Sequence, residues 1–530
     1  MSPQRIVRGV RTSPATIPGV LAASAAEWPH APALVEGGAV DGSSRLTFAD
    51  LAERVAIEAA ALVTAGLPPG GRVALWGPNS AAWAVANLAV LAAGGTVVPV
   101  NTRAACAEAT AVLDRAGATL VLAAPEFLGR RLADEARSIG AAEVFELGAP
   151  VADADGPSRA EVARRTTALT GDSISHVQFT SGTTGRPKGV MLRHGAMVTT
   201  TRSWVSVVGL RARDGFPVVS PCSHLAGHKT GLLSCLVTGA TAIPLATFDA
   251  ELLVRFVDEG SATFLQAAPT VFHDVVELVR ARGRGIPALR TAVTGAAVIP
   301  PQLVRDLHDV AGIGTVLAGY GLTETTGVVT ITAPGDPVDA VVTTCGRPVP
   351  GVALRLVDNA GRDVDAGARG EVWVRGPSVM VGYLDDPEAT AEVLRDGWLH
   401  TGDIGELDAA GRLRIVDRLK DMVVVGGFNV FPAEVEHVLL EHLAVAQAAV
   451  VGEPDLRLGE VVVAHLVLRV TFDEPVDEPV DEAALLAFCR ERLAGYKVPR
   501  RVVVRDELPR NPAGKVQKGE LRELHRRELH

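Results

Sequence analysis

Residues Thr180 to Gly189 read TSGTTGRPKG, six consecutive Ser, Thr or Gly residues followed shortly by the cation Lys188. Glycine lets a ligand approach the backbone, Ser and Thr offer hydroxyl and amide donors, and an ammonium adds charge. Together these suit a polyphosphate, although an ordinary flexible turn has the same composition. The run is not a Walker A loop, because Lys188 is followed by Gly189 and not by Ser or Thr. Lysine usage sharpens the point: of 51 Lys and Arg, six are lysines, at 188, 229, 420, 497, 515 and 518. Where generic positive charge will do, this chain uses arginine, so a retained lysine points to a need for a compact, flexible ammonium.

Such a loop needs regular elements on both sides. It lies between the strand-like HVQF and a helix that starts near Arg193. Up to about residue 400, β-branched runs alternate with helical stretches, as in RVALWG at 72–77 after FADLAERVAIEAAALVTAG. That alternation predicts α/β layers with largely parallel sheets. From about Gly351 to Val416, VALRLVD, GEVWVRG and LRIVD are short strands separated by turns, which predicts a β-rich subdomain. After Asp417 the strands MVVVGG, VAQAAVVG and VVVAHLVLRV interleave with AEVEHVLLEHL and DEAALLAFCRERL. This reads as a separate α+β module of about a hundred residues. The acidic repeat DEPVDEPVDE at 473–482 reads as a solvated loop.

A chain of 530 residues, 48% hydrophobic, can bury a large core and should form two or more domains. Its net charge of -10 argues against nucleic acid as partner. The five cysteines are scattered, without a CxxC pair or zinc-ligand spacing, and read as reduced packing residues. The apolar run from Trp83 to Val100 is broken by Gly94 and Gly95 and interrupted by Asn87, so it reads as a buried helix turning into a strand, not a membrane span. The N-terminal MSPQRIVRGVRTSP lacks the apolar stretch of a secretory signal, and a cytoplasmic location is expected.

TSGTTGRPKG resembles the phosphate-loop signature of the adenylate-forming (AMP-binding) superfamily. Four further signatures follow in that family's order: TGAA at 294–297, GYGLTETTG at 319–327, WLHTGDIGEL at 398–407 continuing into RIVDRLKDMVVVGGFNVFPAEVE, and NPAGKVQK at 511–518. The resemblance covers nearly the whole chain. It implies a large N-terminal domain, 1–419, of layered mixed and parallel sheets with helices plus the β-rich subdomain. It also implies a small mobile α+β C-terminal domain, 420–530, hinged at about Lys420.

The resemblance assigns roles to residues. Thr180, Ser181, Gly182, Thr183, Thr184 and Lys188 would hold the β and γ phosphates of ATP, and Gly295, Ala296 and Ala297 would line the adenine slot. Tyr320 would pack on the adenine face, Thr323 would bond the α-phosphate, and Glu324 would hold Mg2+ through hard carboxylate oxygens. Asp403 would accept both ribose hydroxyls through two free oxygens, with Arg418 approaching the same ribose. Lys515 would be the catalytic cation bridging substrate carboxylate and α-phosphate, and Lys420 the hinge between two half-reactions. Gly426 and Gly427 would flank the pantetheine channel of coenzyme A.

For the acid, the resemblance points to PCSHLAGHKTG, Pro221 to Gly231, with His224 beside the carboxylate. No Asp or Glu lies between Asp214 and Asp249, which disfavours an α-amino acid. His228, Lys229 and Thr230 are too polar for a long-chain fatty-acid tunnel. The wording VTTCGRP and GPSVMVGYLDD is most similar to bacterial ligases for ring-containing or aryl acids. An acyl-CoA synthetase is therefore expected, with a small carboxylic acid as partner. Loading of a carrier protein, diazotising activation of nitrite and a non-enzymatic nucleotide sensor are the competing functions.

Overall fold

The structure, a computed structural model, describes residues 15–36, 45–141, 143–149, 156–180, 187–295, 299–358, 360–418, 421–425, 428–455, 457–469, 482–510 and 516–528. The assignments to Ser181, Gly182, Thr183, Thr184, Ala296, Ala297, Lys420, Gly426, Gly427 and Lys515 therefore lie outside the described residues, as does the acidic repeat up to residue 481. Glu482, read as the last residue of that loop, instead begins the helix Glu482–Arg492.

Three sheets with helices packed around them form the larger body. The seven-stranded sheet has a parallel centre, Glu143–Glu146, Leu120–Ala123, Arg72–Trp76, Thr96–Val100 and Ile174–Thr180. Lys188–Arg193 and Gly382–Tyr383 then add antiparallel strands at one edge. The apolar run at 83–100 is a buried helix, Ala81–Ala92, and a strand, Thr96–Val100. Ser80 caps the helix by accepting from the Trp83 amide at 3.1 Å, and Gly94 ends it at φ 77°, where a side chain is disfavoured. Nearly every residue of this helix is buried, as expected of an element apolar on all faces.

A five-stranded sheet aligns Phe264–Ala267, Thr291–Gly295 and Thr315–Tyr320 in parallel, then turns back through Thr330–Ile331 and Arg347–Pro348. A four-stranded sheet completes the body. The β-rich stretch is an antiparallel sheet built on Ala353–Val357, Gly370–Arg375, Trp398–Leu407 and Leu413–Arg418.

From Asp421 onward a separate sheet, Phe428–Val430, Val423–Val425, Gly459–Leu468, Val445–Asp455 and Arg501–Val504, encloses its own apolar core with the helices Pro432–Leu440 and Glu482–Arg492. It docks on the hairpin formed by Trp398–Leu407 and Leu413–Arg418. Phe431 packs with Ile404, Val416 and Met422, and the Asp417 carboxylate accepts from the Ala433 amide at 2.8 Å. Lys518 pairs with buried Glu436 at 2.7 Å, and Lys497 with Glu434 at 2.6 Å. These two lysines thus serve as structural ion pairs within the small module. Among the described residues no helix is long and apolar enough to cross a membrane.

Candidate active site

The two described ends of the phosphate signature lie on paired antiparallel strands. Ile174–Thr180 runs into the signature and Lys188–Arg193 runs out antiparallel, with Thr180 opposite Lys188; the helix His194–Val208 begins only after that second strand. The Lys188 ammonium lies 4.9 Å from the centre of the Tyr383 ring, a cation–π contact that holds its charge at the hairpin mouth. The Tyr383 hydroxyl donates to Glu324 Oε1 at 2.9 Å. Tyr383 therefore joins the phosphate hairpin to the GYGLTETTG segment. Sequence reading passed it over, although GPSVMVGYLDD had been noticed as wording. The signal was a Gly-Tyr pair that adds an edge strand to the hairpin.

Thr323 and Glu324 sit in the single 3-10 turn Thr323–Thr325. The turn is fixed by its neighbours: the Met380 amide donates to the Glu324 carbonyl at 2.8 Å, and the Thr326 hydroxyl donates to the Ser378 carbonyl at 2.6 Å. Thr326 has φ 54°, an uncommon conformation for a β-branched residue, and the surrounding bonds hold it there. One oxygen of Glu324 is engaged by Tyr383, leaving the other for a ligand.

Beside this turn two strands approach closely under a cluster of polar side chains. Gly295 and Gly319 pair across adjacent parallel strands, and a Cβ on Gly295 would sit 2.5 Å from the Gly319 carbonyl oxygen, so only glycine allows this approach. Tyr320 follows Gly319 and donates its hydroxyl to Asp403 Oδ2 at 2.6 Å. Arg418, register partner of Asp403 in the hairpin, places Nε 3.1 Å from Asp403 Oδ1. Burial, and next the Asp403 charge, push the Tyr320 hydroxyl well above its ordinary range, so it stays a donor. The expectation that Asp403 keeps two free oxygens needs amending: each oxygen already accepts one bond inside the chain. Each still has a second lone-pair direction, which is what two vicinal hydroxyls require.

His224 occupies the loop before the helix Ala226–Leu233. Its Nδ1 accepts from the Ala226 amide at 3.3 Å, so in the neutral ring the proton sits on Nε2, which is then a donor. Burial lowers its pKa and favours that neutral form. The Gln178 side chain, from the strand that enters the phosphate hairpin, donates to the Ser223 carbonyl at 2.9 Å and ties this loop to the hairpin. Asn79 fixes the other end, accepting from the Cys222 amide at 2.6 Å while donating to the Val218 and Ser220 carbonyls. Sequence reading gave neither Gln178 nor Asn79 a role.

His228 stacks on His176 with ring centres 4.7 Å apart, and its Nδ1 lies 2.9 Å from the Cys222 carbonyl; burial lowers its pKa to about 4. Lys229 is fully buried, its Nζ meets no hydrogen-bond partner among the described residues, and desolvation lowers its pKa to about 7.

The site thus brings together the hairpin carrying Lys188, the turn carrying Glu324, the Tyr320–Asp403–Arg418 cluster and a neutral imidazole. Those are the parts of an enzyme that joins a carboxylate to AMP. The family model of AMP-binding enzymes matches residues 21–384, and the model of the AMP-binding enzyme C-terminal domain matches 434–515. The chain is 45% identical over 495 residues to the 3-[(3aS,4S,7aS)-7a-methyl-1,5-dioxo-octahydro-1H-inden-4-yl]propanoyl:CoA ligase of Mycobacterium tuberculosis, covering 91% of this chain and 94% of that one. It is 36% identical over 497 residues to feruloyl-CoA synthase of Amycolatopsis sp, covering 93% and 96%. The fold matches ATP-bound MatB from Rhodopseudomonas palustris with a TM-score of 0.83 at 28% identity, covering 98% of this chain and 100% of that one. The chain belongs to the AMP-binding enzyme family. Within that family it is an AMP-forming acid–CoA ligase, which uses ATP and coenzyme A.

Proposed function

We propose that this enzyme activates a ring-containing carboxylic acid as its acyl-AMP and then transfers the acyl group to coenzyme A. The observation that carries the residue assignment is the Tyr320–Asp403–Arg418 cluster beside the Gly295–Gly319 approach, with Glu324 in the 3-10 turn that follows the Tyr320 strand. A ring-containing acid is supported by the acids named for the relatives, a dioxo-indane propanoate and ferulate.

In the first half-reaction a carboxylate oxygen of the acid forms a bond to the α-phosphorus and the bond to pyrophosphate breaks. His224 Nε2–H steadies the other carboxylate oxygen, Thr323 holds the α-phosphate, and Thr180 and Lys188 hold the leaving pyrophosphate. Asp403 fixes the ribose through its remaining lone pairs. Lys515 supplies the positive charge where two anions meet. Mg2+ fits this set: Glu324 offers one uncommitted oxygen, and the ion typically takes one or two carboxylates plus substrate phosphates. When bound it neutralises charge on the triphosphate, and Tyr383 orients Glu324 for it.

In the second half-reaction the thiol sulfur of coenzyme A forms a bond to the acyl carbon, AMP leaves and the thiol proton is released. We divide the chain at Lys420 into 1–419 and 420–530, with the small module turning about that hinge and Gly426 and Gly427 then lining the thiol channel. The acceptor is free coenzyme A in preference to carrier-bound phosphopantetheine, and cytoplasmic chemistry fits five unpaired cysteines.

The test is a pyrophosphate-release screen over aliphatic, aryl and alicyclic acids, with thioester formation followed by mass. Ring acids turning over with coenzyme A is the expected result. Release only with an amino-aryl compound and nitrite, or thioester only on a carrier protein, would replace this reading.

A further inference from the structure

Lys229 has a place in the fold that general positive charge does not explain. It lies in the helix Ala226–Leu233, which has the wide π geometry found mostly in short insertions at functional sites. Three faces of this helix can be told apart. Gly227 and Gly231 press against the chain beside them: a Cβ on Gly227 would lie 2.3 Å from the Pro221 carbonyl oxygen, and one on Gly231 2.7 Å from Val218. His228 turns to His176 and Trp83. Leu225, just before the helix, meets Gly327 at the end of the turn that carries Glu324, where a glycine Cβ would approach the Leu225 Cβ at 3.4 Å. Lys229 stands five residues beyond the neutral His224, about one turn of this wide helix.

A fully buried ammonium without an acceptor is costly, and chains seldom retain one unless something else supplies the partner. The helix packs against the strand Phe264–Ala267, where Gln266 Oε1 is also buried without a partner among the described residues. The Ser223 hydroxyl, beside His224, is a third such atom. A plain hydrocarbon ring would leave the Lys229 ammonium unmatched, whereas an acceptor on the ring would meet it.

Resting on the reading of this site as the acid pocket, we propose that Lys229 is a specificity-determining residue for acids whose ring carries a hydrogen-bond acceptor, a ketone or a second carboxylate, on the side away from the reacting carboxyl. The acid lies with its carboxylate at His224 and its ring along the helix. The acceptor oxygen takes a hydrogen bond from Lys229 Nζ about one helical turn, roughly 5 Å, deeper.

The experiment compares kcat/KM of the full-length enzyme for 3-cyclohexylpropanoate, its oxocyclohexyl analogues and its carboxycyclohexyl analogues. The wild type should favour at least one acceptor-bearing acid over the plain one by ten-fold or more, and the better arm identifies ketone or carboxylate. Lys229→Met should bring that ratio close to one while KM for ATP stays within about two-fold, and Lys229→Gln, which keeps a donor, should restore part of it. An unchanged ratio in Lys229→Met, or a wild-type ratio near one with good turnover of ring acids, overturns the inference and leaves the proposed function standing. Absence of turnover with every ring acid overturns both. Should Lys229→Met not fold, the wild-type ratio and Lys229→Gln decide.

Discussion

The two ends of the proposed site differ in how their charged groups are held. At the nucleotide end the charged groups are partnered within the chain: Asp403 by Tyr320 and Arg418, Glu324 by Tyr383, and Lys188 by the Tyr383 ring, although the Thr294 and Ser378 hydroxyls nearby are buried without a partner among the described residues. At the acid end Lys229 Nζ, Gln266 Oε1, Ser223 Oγ and His228 Nε2 are buried and meet no hydrogen-bond partner among the described residues. The first arrangement holds a fixed shape for a ligand common to all turnovers. The second leaves unmatched atoms that, on the proposed reading, one particular substrate would partner, which would make it a place for discrimination. Preorganisation and selectivity are thus carried by different elements, and the two can be broken separately.

The largest effect is expected at Lys515, which on the proposed mechanism acts while charge builds at the α-phosphorus. Lys515→Ala should reduce pyrophosphate release by about 10²- to 10³-fold, with thioester formation from supplied acyl-AMP far less affected. Lys420→Pro should show the reverse pattern, because a stiff hinge hinders the turn of the small module. Equal loss of both half-reactions in both folded variants would dissolve the separation between them.

Next in size is Asp403→Asn. The amide keeps the shape but loses the charge facing Arg418 and one of the two acceptors for ribose. Losing hydrogen bonds to a charged group at about 1.5–3 kcal/mol predicts a rise in KM for ATP of roughly 10- to 100-fold. The ranking of acids should not change. A variant that reorders the acids while binding ATP normally would show that the nucleotide end also discriminates.

A smaller effect, roughly ten-fold, is expected for Tyr383→Phe, which removes one charge-assisted bond to Glu324. Activity should need more Mg2+, and a Mg2+ titration superimposable on that of the wild type would show that Tyr383 does not orient Glu324.

The smallest effect concerns stability at the acid end. Lys229 is lowered from 10.5 to about 7 in the folded chain. Between pH 7 and 10.5 the unfolded chain therefore binds more protons, so this group makes the protein less stable as pH falls through that window and adds no slope below it. Lys229→Met removes the buried charge and should unfold at a higher temperature at pH 7 without acid, with the advantage shrinking as pH rises toward 9.5. A midpoint difference that is constant with pH would mean that Lys229 has a partner in solution.

Much of the fold was legible because local patterning and tertiary demand agree. The apolar run from Trp83 to Val100 reads as a buried helix turning into a strand, and the structure has that helix and strand with Gly94 between them. The short strands of 353–418 were readable from their alternation and their turns. The phosphate signature was legible in composition, but its setting was incomplete: Lys188–Arg193 forms a strand before the helix, because VMLR pairs with the neighbouring HVQF, and pairing is not visible in one segment. Lysine scarcity was a partial guide. Lys188 lies against the Tyr383 ring and Lys229 is fully buried, both in the proposed site, whereas Lys497 and Lys518 answer Glu434 and Glu436 in the small module.

By itself, then, the sequence determined which residue types stand at which spacing: a glycine-rich turn with its cation, a Thr-Glu pair, an aspartate and an arginine near the hinge. Those are set by local chemistry and survive as a linear pattern. The tertiary structure alone decided which of them touch. Tyr320 and Asp403 are 83 residues apart and Tyr383 and Glu324 59 apart, yet each pair shares a hydrogen bond under 3 Å. It also decided that Lys229, which the sequence could only mark as a candidate, has lost all contact with water. Burial and partnership are properties of the packed chain, because they depend on what the other strands and helices bring to the same place.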